Sequence, residues 1–145
     1  SVRALEPARP WSLENLLLSE GEAAAETWRE AYPDLASETY DLAAFDLDRA
    51  LDGGDLVIAH EWSDQALIAR LSRHRKTHGG YRLLFLDTHH RAVTAPHEMA
   101  RFDLSGFDGI LAFGEVLRRI YEKKGYRAWT WHEAADVSVF HPLDA

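Results

Sequence analysis

From residue 55 onward the chain alternates between short apolar runs and longer amphipathic ones. "DLVIA" at 55–59, "RLLFL" at 82–86, "GILAF" at 109–113 and "RAWTW" at 127–131 are apolar nearly throughout. Runs of this length bounded by turn residues predict buried strands. Between the first two, Ser63 stands as an N-cap before a helix carrying Ala66, Leu67, Ile68 and Leu71 on one face, and Gly79 and Gly80 stop it. Pro96 suits the first turn of a short helix through Met99. A further helix turns Val116, Leu117, Ile120 and Tyr121 inward and ends at Gly125. Apolar strands alternating with amphipathic helices predict a parallel sheet. The expected fold class is α/β, a Rossmann-like parallel sheet with helices on both faces.

The first 54 residues are less regular. "WSLENLLL" has Ser12 as an N-cap candidate, and "GEAAAETWREAYP" predicts a helix ending near Pro33. "SETYD" and the opening "VRAL" suit short strands. A domain of this type opens on an apolar strand with a glycine-rich turn, and neither is seen here. The expectation is one Rossmann-like domain over 1–145 that lacks its first strand.

Composition narrows the function classes. A length of 145 residues supports one core, and 28% charged residues is ordinary for a globular protein. A formal charge of −8 argues against a nucleic-acid partner, because neutralising phosphates requires clustered Lys and Arg. The one basic cluster, Arg73, His74, Arg75 and Lys76, falls where cations complement a helix C-terminus. No apolar run is long enough for a membrane span, and no secretory pattern opens the chain. Cysteine is absent, which removes disulfides and thiolate ligands and is compatible with a cytoplasmic protein.

In an open parallel sheet, ligands bind beyond the carboxyl ends of the strands. The residues following the four predicted strands are His60-Glu61-Trp62, Asp87-Thr88-His89-His90-Arg91, Gly114-Glu115, and His132-Glu133 with Asp136. Parallel strands bring these groups to one edge. A lone histidine after a strand more often bonds nearby backbone than does chemistry, but the adjacent pair His89-His90 places at least one ring toward the crevice. Gly114 at a helix start could admit an anion, which Glu115 would repel. Trp62, Trp129 and Trp131 read as core or rim packing. His74 and His78 have ligand-like i, i+4 spacing, but Arg and Lys lie between them and no carboxylate accompanies them, so a solvated face is expected.

Three functions fit these residues. A metal-dependent hydrolase would draw on His60, Glu61, His89, His90, His132, Glu133 and Asp136, yet no H-E-x-x-H helix is present, and neither metal nor cofactor is expected. A non-catalytic interaction domain is a second possibility; as a phosphoacceptor it would have only Asp87.

The third rests on likeness. "DLVIAHEW", "LLFLDTHHR", "GILAFGEVLRRIYEKKGYR" and "WHEAADVSVFHP" together resemble the N-terminal domain of a GT-B glycosyltransferase, nearest to spore-maturation-type (CgeB-like) proteins. The likeness runs from 55 to 142. Where the family carries Asn-Gly-Val-Asp followed by Phe and Pro, this chain has Glu133, Ala134, Ala135, Asp136, Phe140 and Pro142. The resemblance implies the acceptor-side half of an enzyme that moves sugar from a nucleotide-sugar donor to an unknown acceptor. Most donor contacts would come from a second, C-terminal domain. It also implies His89 as the catalytic histidine beside the transferred sugar, with His60 and Glu61 facing the acceptor. Thr88, His90, Arg91, Gly114, Glu115, His132 and Glu133 would line the substrate cleft. His90 stands where the family has an acidic residue, and Gly114 where it often has Ser.

Overall fold

The computed structural model describes residues 2–33 and 37–134. Contacts gather into two units, Ser1–Asp46 and Leu47–Ala145.

In the first unit, strand β1 (Ala4–Pro7) pairs in parallel with β2 (Ser37–Tyr40), Ala4 opposite Ser37. Between them run helices α1 (Trp11–Glu20) and α2 (Glu22–Ala31). Gly21, at φ 77°, both closes α1 and opens α2, a conformation that suits glycine. Helix α1 starts after Pro10 rather than at a Ser12 cap, and Pro10 O accepts the Glu14 N–H at 3.1 Å. Neither helix buries much: α1 has no buried residue and α2 only Ala25.

The second unit opens with the short helix α3 (Leu47–Leu51) and then builds the predicted sheet. Strands β3 (Leu56–His60), β4 (Arg82–Asp87), β5 (Gly109–Phe113) and β6 (Ala128–Trp131) lie in that order, every neighbouring pair parallel. Helices α4 (Gln65–Thr77), α5 (Arg91–Thr94), α6 (Pro96–Met99) and α7 (Gly114–Lys123) occupy the crossovers. This is the parallel α/β architecture read from the sequence. Asp64 rather than Ser63 caps α4, its carboxylate accepting the Ala66 N–H at 2.7 Å. Pro96 opens α6, and Gly125 at φ 88° follows the end of α7.

Register and pleat sort the side chains. Val57 lies opposite Leu83, Phe85 opposite Ile110 and Asp87 opposite Ala112, so all six share a face with Ala59. That face is the packed one. Phe102 and Phe107 set their rings on Phe85, while Tyr121 of α7 reaches Asp87. Helix α4 runs so close to the loop before β5 that a Cβ on Gly106 would meet Ser72 O at 2.1 Å. Ser72 Oγ accepts the Gly106 N–H there at 2.8 Å. The opposite face, also expected to be covered, leaves Leu56, Ile58, Trp129 and Trp131 about half exposed. On α7, Leu117 and Tyr121 are buried as expected, whereas Val116 faces outward.

Candidate functional site

His60 ends β3 opposite Leu86, and Asp87 ends β4 one residue later, so both strands release their polar residues side by side. The Glu61 N–H donates to Leu86 O at 2.9 Å, which extends the ladder by one residue beyond β3. Glu61 thereby turns inward and is 1% exposed.

A buried carboxylate must be paired or pay heavily for desolvation. Arg91, at the start of α5, supplies the partner. Its Nη2 donates to Glu61 Oε2 in a close ion pair and to Glu61 O at 3.0 Å. The Arg91 guanidinium also lies 4.3 Å from the centre of the Trp62 ring, a cation–π contact. Glu61 Oε1 accepts the Thr88 hydroxyl at 3.2 Å, and Thr88 Oγ1 lies 3.3 Å from His60 Nε2. The Trp62 N–H donates to His60 Nδ1 at 3.2 Å. These contacts fix the neutral tautomer of His60. Nδ1 must be an acceptor, so Nε2 carries the proton and donates to Thr88, which passes its own proton to Glu61. The result is a directed chain from His60 through Thr88 to a buried carboxylate.

Asp87 is fully buried beside this chain. It accepts the Tyr121 hydroxyl at 2.6 Å and the His89 N–H at 3.1 Å. Burial pushes its carboxyl above the ordinary range, and those two hydrogen bonds only partly counter the shift. Burial, and then the hydrogen bond to Asp87, push the Tyr121 phenol far up, so it stays a donor. His89 sets its ring edge-on to Trp62 at 5.3 Å and 4.0 Å from the His90 ring.

Two polar atoms here are buried without a partner: His89 Nδ1 and Arg91 Nε. Such atoms cost about 1–3 kcal/mol each, and native structures keep few of them. Arg91 also lines an open cavity of about 340 Å³ with Glu61, Trp62, Ser63, Asp64, Gln65 and Phe102, and His89 reaches it through its ring contact with Trp62.

The other expected residues lie outside this network. His90 is exposed, its Nδ1 2.8 Å from Thr94 Oγ1. Gly114 takes φ 81° at the start of α7, and a Cβ there would meet nothing, so the backbone angle alone calls for glycine. Glu115 is held by Arg118 and Arg119 on its own helix, and their hydrogen bonds pull its carboxyl down to about 2. Glu115 is thus engaged mainly within its own helix, with Thr130 of β6 donating to Oε2 at 3.5 Å. His132 meets Phe113 edge-on at 5.9 Å, and both His132 and Glu133 are exposed. Ala135, Asp136, Phe140 and Pro142 lie outside the described residues.

Glu61, expected to face an acceptor, is 1% exposed, lines the cavity and anchors Arg91 and Thr88. Trp62, read as packing, is 63% exposed and carries Arg91 on its face. Tyr121, read as core, is also the donor that holds Asp87. The solvated-face reading of His74 and His78 also changes, because Asp48 of α3 provides the carboxylate that the local sequence lacks. Among the described residues, this is the set of three metal-type ligands whose donor atoms all fall within 4.8 Å, and the residues proposed for a hydrolase form no such set.

No family model, curated protein or solved structure matches the chain.

Proposed function

We propose that residues 47–134 form the acceptor-side half of a GT-B-type glycosyltransferase, with the carboxyl edge of β3 and β4 as its sugar-facing surface. One observation carries this reading: a directed network of His60, Thr88 and Arg91, anchored on the buried Glu61, borders an open cavity and leaves His89 Nδ1 and Arg91 Nε unpartnered. Unmet polar atoms on Arg91, which lines the cavity, and on His89, which packs on the cavity-lining Trp62, are what a polyhydroxyl ligand would satisfy after a small side-chain adjustment. The cavity volume falls at the lower end of small-ligand pockets. Trp62 adds an exposed aromatic face for the apolar side of a pyranose ring.

Each residue has a distinct part in such a reaction. Glycosyl transfer develops an oxocarbenium-like sugar and negative charge on the departing phosphate. His89 would offer its free ring nitrogen to the transferred sugar. His60 has both ring nitrogens engaged, by the Trp62 N–H and by Thr88. Beside His89 it would therefore act by holding Thr88 in place, and would reach an acceptor hydroxyl only by giving up one of those bonds. Glu61, at the floor of the cavity, and Asp87, behind it, hold Arg91, Thr88 and the His89 backbone in place. A GT-B cleft excludes water by closing between two domains, so residues 47–134 alone are expected to bind saccharide weakly and to turn over no nucleotide sugar.

A second reading, a non-catalytic interaction domain, is favoured by the half-exposed apolar face of Leu56, Ile58, Trp129 and Trp131. The two separate in a backbone-amide NMR titration of the chain with simple mono- and disaccharides. The transferase reading expects shifts gathered at residues 60–62 and 88–91. Shifts absent from those residues across the panel, or turnover of a nucleotide sugar by the chain alone, would contradict it.

A further inference from the structure

At the other edge of the same sheet, α3 and the end of α4 bring together Asp48, His74 and His78. We propose that these three side chains bind a zinc-class divalent transition ion, which ties α3 to the C-terminal end of α4.

The ring geometry is the first support. His74 and His78 stand one helical turn apart with their rings stacked at 4.3 Å and 19°. Both direct Nε2 toward one atom: Asp48 Oδ1 lies 2.9 Å from His74 Nε2 and 3.9 Å from His78 Nε2. Neighbouring ligands in a tetrahedral zinc site, with bonds of about 2.0–2.1 Å, lie roughly 3.3–3.5 Å apart. The two observed spacings bracket that value, and all three donor atoms lie within 4.8 Å of one another, so a modest shift of exposed side chains would seat an ion.

Proton placement is the second support. Thr77 donates its hydroxyl proton to a backbone carbonyl, His74 O at 3.1 Å or Arg73 O at 3.3 Å. The acceptors left around His78 Nδ1 are Thr77 Oγ1 at 2.9 Å and His74 O at 3.3 Å, so Nδ1 carries the proton in the neutral ring. His78 Nε2 is then a bare lone pair facing a carboxylate oxygen. Two acceptors facing each other at this distance are a pair that a cation, a proton on the ring or a bridging water would reconcile, and a divalent ion does so while binding all three side chains. His74 is held from both sides: without an ion its Nε2 donates to Asp48 Oδ1 at 2.9 Å while its Nδ1 accepts the Tyr81 hydroxyl at 2.8 Å. An ion bound there would take the place of that Nε2 proton. A ring fixed through Nδ1 with Nε2 facing the ion, as His78 has, is the usual outer-shell arrangement of metal-bound histidine.

Access and selectivity follow from exposure and ligand type. His74 is 10% exposed, while His78 and Asp48 are 57% and 77% exposed, so an ion can enter from solvent and keep a water as fourth ligand. The pocket around the three ligands is also lined by Asp52, Asp55 and Tyr81, which adds negative charge nearby. Two imidazoles and one carboxylate suit zinc better than magnesium or calcium.

The test is titration of the tag-free 145-residue chain with zinc chloride, read by calorimetry and by thermal melting, with cobalt(II) absorption as a probe of geometry. The expected result is one zinc per chain at micromolar metal, a melting temperature that climbs with zinc, and visible cobalt bands of tetrahedral intensity. Asp48→Asn and His78→Ala, both at exposed positions, should each weaken zinc binding by at least about 10-fold, since a lost ligand costs no less than a lost outer-shell partner. His90→Ala serves as the control and should leave zinc affinity unchanged. Zinc binding that survives both ligand variants and is lost in His90→Ala would place the ion at the other histidine cluster and overturn the proposal. Absence of binding at micromolar zinc, with the chain folded, would also overturn it.

Discussion

The two edges of the four-stranded sheet are built from the same kinds of residue and differ in how completely those residues are paired. At the amino edge, Asp108 precedes β5 and accepts four hydrogen bonds. Arg75 forks onto both oxygens at 2.9 Å, Arg82 reaches Oδ1 at 3.2 Å, and the Leu83 N–H reaches Oδ2 at 2.8 Å. Those bonds hold its carboxyl below the ordinary range and lock the start of β4 to β5. At the carboxyl edge, Glu61 and Asp87 are more deeply buried, Asp87 is pushed up rather than down, and two neighbouring polar atoms have no partner. A fully paired carboxylate at a strand start stabilises the fold. Incomplete pairing at strand ends, next to a cavity, costs stability and marks the edge that a ligand would complete.

Breaking the Glu61–Arg91 pair should have the largest effect. Arg91→Met leaves a buried carboxylate uncompensated and should cost about 3–5 kcal/mol in urea unfolding. Adding Glu61→Gln to that variant should recover most of the loss. If the single variant costs less than about 1 kcal/mol, the pair is not what holds this edge.

The amino-edge clamp comes next. Asp108→Ala should cost about 1.5–3 kcal/mol at neutral pH, the scale of hydrogen bonds to a charged group. Because the folded carboxyl is held below its ordinary 3.8, its contribution is present above that value and is lost as pH falls through the folded value. The gap between wild type and variant should therefore close in acid. A gap that stays constant from pH 7 to 3 would separate the clamp from the ionised carboxylate.

Tyr121→Phe should cost about 1–2 kcal/mol and change the pH profile in the opposite sense. Asp87 is raised by burial, so its stabilising contribution is full below about 3.8 and declines as pH rises toward the folded value. The Tyr121 hydroxyl favours the charged form; without it the folded value climbs further and the decline extends to higher pH. Urea midpoints from pH 4 to 8 would show this, and Asp87→Asn should flatten both curves. Parallel curves for wild type and Tyr121→Phe would count against the coupling.

The sequence makes the framework legible because it rests on local periodicity. β3 to β6, helices α4, α6 and α7, the Pro96 start and the Gly125 stop follow from patterns within one element, whereas no such pattern predicts the single turn α5. The caps slip by a residue or so, as with Asp64 for Ser63, because adjacent Ser and Asp are near-equal N-caps. At the candidate site, the sequence places His60, Thr88, His89 and Arg91 at one edge, but it does not disclose which are buried. The pairings that decide this span 28 residues for Thr88–His60, 30 for Arg91–Glu61 and 34 for Tyr121–Asp87. Asp48 escapes for the same reason, lying 26 residues before His74. The partners of Glu115 are three and four residues away on one helix, within reach of the helical rule for side-chain pairs.

The smallest stability effect belongs to the residue with the largest proposed role. His89→Ala removes a ring whose Nδ1 has no partner and leaves intact the backbone N–H that Asp87 accepts. The account predicts a melting temperature within a few degrees of wild type and a loss of saccharide affinity of at least about 10-fold, the size of one positioned hydrogen bond to the ligand. Measured together on one sample, a markedly lower melting temperature with unchanged saccharide affinity would make His89 a structural residue and contradict the assignment of this edge as the sugar-facing site.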